Sequence, residues 1–201
     1  MTKKFIARFG LFGFVTIITM LILQSPGNAG DFSADMMMTS SMAIMKGKVF
    51  LKGGNFRQEM AMGGGQQITI FRKDKNLVWV LIPQQKMYME MPGGDKQNMA
   101  PIDPAEIEKR GKKKYLGKEK INGYMCSKYQ YTSNDGSIGP ATYWIAEKLN
   151  FPVKIEMDGP SGHTIMEYRN IREKTVSSSL FTIPSGYQKV SMPMMPGIQN
   201  Q

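Results

Sequence analysis

A chain of 201 residues with one His and one Cys lacks the ligands for a zinc cluster and the partners for a Cys–His nucleophile, and its lone Cys126 excludes an internal disulfide. The 26 basic and 16 acidic residues leave a formal charge of +10. In an exported protein that balance favours anionic membrane surfaces or acidic partners over nucleic acid.

Residues 1–29 read as a secretory signal peptide. Lys3, Lys4 and Arg8 precede an apolar run from Phe9 to Leu23, and Gln24-Ser25-Pro26-Gly27-Asn28-Ala29 follows. Small residues at Gly27 and Ala29 suit signal peptidase, so cleavage is expected near Ala29 and the destination is the periplasm. The run is shorter than the ~20 apolar residues of a spanning helix, and no Cys follows it to accept a lipid. Losing three basic residues lowers the charge of the mature chain to +7.

From residue 30 the dominant period is two, the mark of half-buried strands. Phe32, Ala34, Met36 and Met38 share one face, and Met45, Gly47, Val49 and Leu51 alternate with Lys46, Lys48 and Phe50. Gly53-Gly54 turns the chain into Phe56, Met60 and Met62, and Ile68 and Ile70 follow on the next strand. Leu77 to Ile82 is apolar on both faces, as in a central strand, so Trp79 belongs to either face. Met87, Met89 and Met91 then share a face.

Asp103 as N-cap, Pro104 at the first helical position and Glu106 predict a short helix that includes Ile107 and runs into the basic stretch from Lys109 to Lys114. Strands resume at Tyr115 to Ile121 and Tyr124 to Thr132, joined by Asn122-Gly123, a strong hairpin signal. Ala141 to Ala146 carries Trp144, again with either face open to it. Val153, Ile155 and Met157 alternate with Lys154, Glu156 and Asp158, His163 to Ile171 follows, and Leu180 to Tyr187 is the last expected element. The reading is mainly β: ten or eleven strands in one curved antiparallel sheet, an incomplete barrel with one or two short helices. One domain over 30–189 is expected, with a disordered tail from 190 to 201.

Nothing in the chain resembles catalytic machinery. His163 and Cys126 are far apart, and there is no GxSxG, no phosphate-binding glycine loop and no cofactor motif. The expectation is a non-enzymatic protein without a cofactor. The unusual feature is methionine, with 19 residues, in Met36-Met37-Met38, Met60-x-Met62, Met87-x-Met89-x-Met91 and Met192-x-Met194-Met195. Flexible thioethers suit a surface that adapts to apolar ligands. They also bind Cu(I), with Met87, Met89 and Met91 as the candidate ligands. An ordinary core that uses Met for Leu is the plain alternative.

Five stretches in order, "GNFRQEM", "ITIFRKDKNLVWVLIPQQKMYMEM", "YLGKEKINGYMCSKYQYT", "ATYWIAEKLNFPVKIEM" and "EYRNIREKTVSSSLFTIPSGYQKV", make the chain resemble the LolA/LolB-like superfamily of periplasmic lipoprotein carriers. Within it the chain is most similar to an uncharacterised exported family. The resemblance implies an incomplete antiparallel barrel, closed by helices, around an apolar cavity for lipid or acyl chains. The expected cavity lining is Met36, Met38, Val49, Leu51, Phe56, Met60, Met62, Ile68, Ile70, Met87, Met89, Met91, Val153, Ile155 and Met157. An envelope scaffold or sensor with no small ligand is the remaining alternative.

Overall fold

The computed structural model describes residues 30–62, 65–93, 111–134, 140–159 and 162–190. The expected signal peptide, the helix expected from Asp103 and the expected tail from 191 lie outside them. Twelve strands follow one another: β1 (Phe32–Ser40), β2 (Ile44–Lys52), β3 (Asn55–Met62), β4 (Gly65–Arg72), β5 (Leu77–Ile82), β6 (Met87–Pro92), β7 (Gly111–Ile121), β8 (Tyr124–Ser133), β9 (Ala141–Ala146), β10 (Phe151–Gly159), β11 (Gly162–Arg172) and β12 (Gln188–Lys189). Among the described residues there is no α-helix, only 3₁₀ turns at Pro83–Gln85 and Ser178–Phe181. The expected alternations hold in register. At Asn122-Gly123 both φ angles are positive, +48° and +89°, as a tight hairpin turn between right-twisted strands requires.

All strands form one sheet in the order β12-β6-β5-β4-β3-β2-β1-β11-β10-β9-β8-β7. Two meanders, β1 to β6 and β7 to β11, meet where β1 pairs antiparallel with β11, Met36 opposite Tyr168 and Met38 opposite Met166. Only the terminal β12 pairs in parallel, with β6. The sheet does not close into a barrel: β7 and β12 are its two edges.

Paired residues share a face, so the ladder defines two surfaces. Phe32, Leu51, Phe56, Phe71, Val78 and Met91 are linked by successive pairs and mark the inner face. The sheet curls toward this side. Phe56 on β3 and Phe151 on β10 stand four strand steps apart, roughly 19 Å if the sheet were flat, yet their ring centroids are 6.3 Å apart. Phe32 meets Phe151 edge-on at 5.0 Å and Tyr168 meets it at 5.2 Å. Gly47 is needed in the middle of β2, opposite Met36 and Met60. A Cβ there would stand 2.3 Å from the Glu59 carbonyl oxygen and 3.2 Å from Met36 Cε.

The outer face of β4 and β5 is also apolar, as the two-sided pattern of Leu77–Ile82 requires. Its cover is the segment after β11. Leu180 to Tyr187, expected as the last ordered element, belongs to a strap across the sheet: Val176 and Phe181 pack with Ile68, Ile70, Trp79 and Leu81. The strap does not extend a sheet edge there, so its backbone acceptors are met by side chains. Lys52 donates to the Val176 carbonyl at 2.6 Å, Arg57 to that of Leu180 at 2.8 Å and Arg72 to that of Phe181 at 2.7 Å. Arg57 is buried and also pairs with Glu59 at 2.7 Å. The strap then reaches β6, where Lys189 pairs with Glu90 at 2.7 Å and Glu90 accepts from Trp79 Nε1 at 2.8 Å.

These contacts lead to three measurable outcomes. Arg57→Met removes the strap contact and the ion pair of the partly buried Glu59, which keeps only the 3.3 Å hydrogen bond from Gln66 and the neighbouring Lys48, so it should destabilise the fold by about 2–3 kcal/mol in urea titrations. The double variant Arg57→Met, Glu59→Leu should recover part of that loss. Gly47→Ala should cost about 1–3 kcal/mol, because the atom it meets first is backbone. The Lys189 and Trp79 hydrogen bonds, with the nearby positive charges, hold the Glu90 carboxyl below its usual range. A carboxyl depressed in the folded state stabilises it above the unfolded glutamate value and loses that contribution as pH falls. Protection against hydrogen exchange at the β12–β6 pairing, expressed relative to the intrinsic exchange rate at each pH, should therefore fall as pH drops below about 4.

Candidate ligand-binding surface

The inner face divides into a packed centre and two flanks. At the centre Phe32, Met36, Met38, Val49, Leu51, Phe56, Val153 and Ile155 are all at most 3% exposed and form one cluster with Tyr143, Phe151, Met166 and Tyr168. These eight residues, seven of them expected as cavity lining, lie in the core itself. Burial pushes the Tyr143 and Tyr168 phenols far above their usual range, and the Tyr168 hydroxyl donates to Met166 Sδ at 3.1 Å.

Ile68 and Ile70 correct the expected lining more sharply. Ile68 pairs with Leu81 and Ile70 with Trp79, which puts all four on the outer face beneath the strap. β4 alternates Ile68 and Ile70 with Gln67 and Thr69, but alternation only separates an apolar face from a polar one and does not say whether the core or the strap covers it. Trp79 and Trp144 both belong to the outer face. Trp144 Nε1 donates to Glu119 at 2.7 Å, and Lys128 and Lys154 lie over its ring at 4.6 and 4.5 Å.

The methionine flank is built by β3 to β6. Met60 is half-buried and receives a hydrogen bond from Gln58 Nε2 at its sulfur, 2.7 Å. Met87, Met89 and Met91 face inward opposite Ile82, Val80 and Val78. Met91 is packed among Val78, Val80 and Phe71, while Met87 and Met89 stay half-buried. Met62 is opposite Gly65 at the end of β3. Across the curl, Met157 is half-buried on β10 opposite Thr164 and Ala141. The second flank is a run of tyrosines that sequence reasoning does not single out. Tyr115 and Tyr129 have ring centroids 5.4 Å apart, and Tyr131 meets Tyr143 edge-on at 4.9 Å. Its sequence signal is an aromatic at alternate positions of β8, Tyr129 and Tyr131.

The outer face carries a trough of about 700 Å³ that includes Asp35, Met37, Lys48, Glu59, Arg169 and Asn170. A second hollow of about 290 Å³ continues it toward Val176 and Leu180. Arg169, Asp35, Lys48 and Glu59 stand side by side across four strands, so the charges of the trough alternate and neutralise one another. Neither residue considered for catalysis is placed for it. Cys126 is fully buried with its thiol pushed up by that burial. His163 pairs with Asp158 at 2.8 Å on an exposed hairpin. No group of three or more His, Cys, Asp or Glu among the described residues could hold a metal ion.

Solved structures with this architecture are distant in sequence. An uncharacterised conserved protein from Thermus thermophilus is 12% identical with a TM-score of 0.59, covering 82% of this chain and 91% of that one. A chain of the Pseudomonas aeruginosa MucA/MucB complex is 10% identical with a TM-score of 0.56, covering 81% of this chain and 59% of that one. A LolA superfamily protein from Nitrosomonas europaea is also similar, 13% identical over 80% and 92% of the two chains. Its TM-score of 0.36 is too low to support more than the mention. No curated protein matches the sequence. The match that assigns a family spans residues 32–150, and by it the chain belongs to the family described as Domain of unknown function (DUF4412).

Proposed function

We propose that the protein is a non-enzymatic carrier or binding protein of the cell envelope, working in the periplasm after removal of its signal peptide. Its ligand is a lipid or the acyl chain of a lipoprotein. The observation that carries this reading is the set of half-buried methionines on the inner face of an open sheet. Met60, Met87, Met89 and Met157 border a centre already filled by aromatic packing. They therefore add apolar surface beyond what the core needs. Unbranched thioethers can follow a disordered chain at little cost in rotamer strain. The fully buried residues of the expected lining then support this surface from beneath. A basic chain that handles such a ligand also favours an anionic membrane surface as its second partner.

Lipid extraction and native mass spectrometry of the purified protein should find a co-purified lipid or fatty acid. Protein that carries none, and that also fails to bind a fluorescent fatty acid, sinks the proposal. Burying one side chain less of apolar surface weakens binding by roughly tenfold, so Met60→Gln and Met89→Gln should each weaken the probe by about that factor. Replacing Met87, Met89 and Met91 together by Leu keeps the surface apolar and removes every thioether of β6. Acyl binding should survive that triple change. Loss of a Cu(I) affinity in it, with no acyl binding in either protein, would instead assign the methionines to metal.

A further inference from the structure

The basic run Lys112 to Lys114, read from sequence as the end of a helix, belongs to β7. This strand is a sheet edge, paired only with β8 among the described residues, and it is exposed along most of its eleven residues. It carries Lys112, Lys113, Lys114, Lys118 and Lys120 against a single acid, Glu119. Lys118 is paired with Glu147 at 2.7 Å, and Glu119 is approached by Lys128 at 3.5 Å. Lys112, Lys114 and Lys120 make no ion pair with the described residues. Three large apolar side chains stand among these charges: Tyr115 is 53% exposed, Leu116 42% and Met125 49%. Met125 is directly opposite Lys120.

A basic edge strand fits either an acidic partner strand or an anionic bilayer. Two features act against an added strand. The register shifts between Tyr115 and Gly117, with Gly117 at φ +115°, so the outward N–H and C=O groups lose their regular spacing in mid-strand. Edge lysines and an edge bulge are devices that block strand addition. A new strand would also leave Met125 uncovered, because it lies on β8, one strand in from the edge. A bilayer surface accounts for all three apolar residues at once. Tyrosine favours the headgroup level, Leu and Met can enter the acyl boundary, and the lysines meet anionic headgroups.

We propose that the rim formed by β7 and β8 is a docking surface for an anionic lipid bilayer, through Lys112, Lys114, Lys120, Tyr115, Leu116 and Met125. The rim adjoins the tyrosine flank of the inner face, since Tyr115 stacks toward Tyr129. The inference rests on the membrane-surface part of the proposed function and locates it, and because docking is read with no ligand in the protein its failure is distinct from a failure of acyl binding.

The test is co-sedimentation of the protein, as processed by the cell, with vesicles of phosphatidylglycerol and phosphatidylcholine in equal parts, and with phosphatidylcholine alone. Binding is expected to the anionic vesicles only and should weaken with added salt. Each lysine near such a surface contributes roughly fivefold. The triple variant Lys112→Gln, Lys114→Gln, Lys120→Gln should therefore bind one to two orders of magnitude more weakly, and the same three changes to Arg should keep binding. Leu116→Ser with Met125→Ser should weaken whatever binding remains at high salt. Equal binding to both vesicles, salt-independent binding or an unaffected Gln variant overturns the proposal. So does a wild-type protein that ignores vesicles and captures polyglutamate, which would make the rim a site for an acidic chain.

Discussion

The hold of Lys52, Arg57 and Arg72 on the strap carbonyls is the constraint on which the two-sided sheet depends. β5 is apolar on both faces and β4 beside it carries Ile68 and Ile70 on the outer one, and a sheet of that kind is stable only when both faces are covered. Helices do this in most such proteins. Here an irregular segment with one 3₁₀ turn, Ser178–Phe181, does it, and its carbonyls face no neighbouring strand that could satisfy them. Long cationic side chains rising from β2, β3 and β4 supply the donors, and each ties the strap to a different strand. Ile68, Ile70, Trp79 and Leu81 are buried as a result, and the inner face is left to serve another purpose.

The curl is the second determinant. Phe151 packs against Phe32, Phe56 and Tyr168, residues from β1, β3 and β11, and so draws the two meanders around one centre. Filling the centre with aromatic rings leaves little room there for a ligand. It pushes the adaptable residues, the methionines of β3, β6 and β10 and the tyrosines of β7 and β8, to the borders. The candidate surface is therefore two flanks around a plug, and its two halves differ in chemistry: thioether on one side, phenol on the other.

Most strands are legible in the sequence because a period of two with Gly or Asn at the turns has few other readings. Asn122-Gly123 predicts its hairpin from turn chemistry alone. Faces are legible only where one side is polar. Met36, Met38, Val49 and Leu51 alternate with Lys46, Lys48 and Asp35, and their side of the sheet follows. Ile68 and Ile70 are covered by residues more than a hundred positions later, and no local pattern shows that contact. The strap is legible only as an ordered element for the same reason: Leu180, Ile183 and Tyr187 mark it as apolar, and only the tertiary contact decides that they cross the sheet. Lys112 to Lys114 read as a helix end because cations suit a helix C-terminus as readily as they suit an exposed edge.

The β1–β11 pair sets an order in time. Every other antiparallel pair in the sheet joins strands adjacent in the chain, so each forms as soon as its two members are available. β1 enters among the first and finds β2 at once, but its other edge stays open until β11 has been made, with almost the whole domain in between. Contacts this distant in sequence are slow to form, and an open apolar edge is where a nascent chain recruits the wrong neighbour. Each meander can assemble by itself, whereas the centre around Phe151 exists only once the two have been zipped together. In the living cell, the vulnerable interval of this protein is the wait of its first strand for its eleventh.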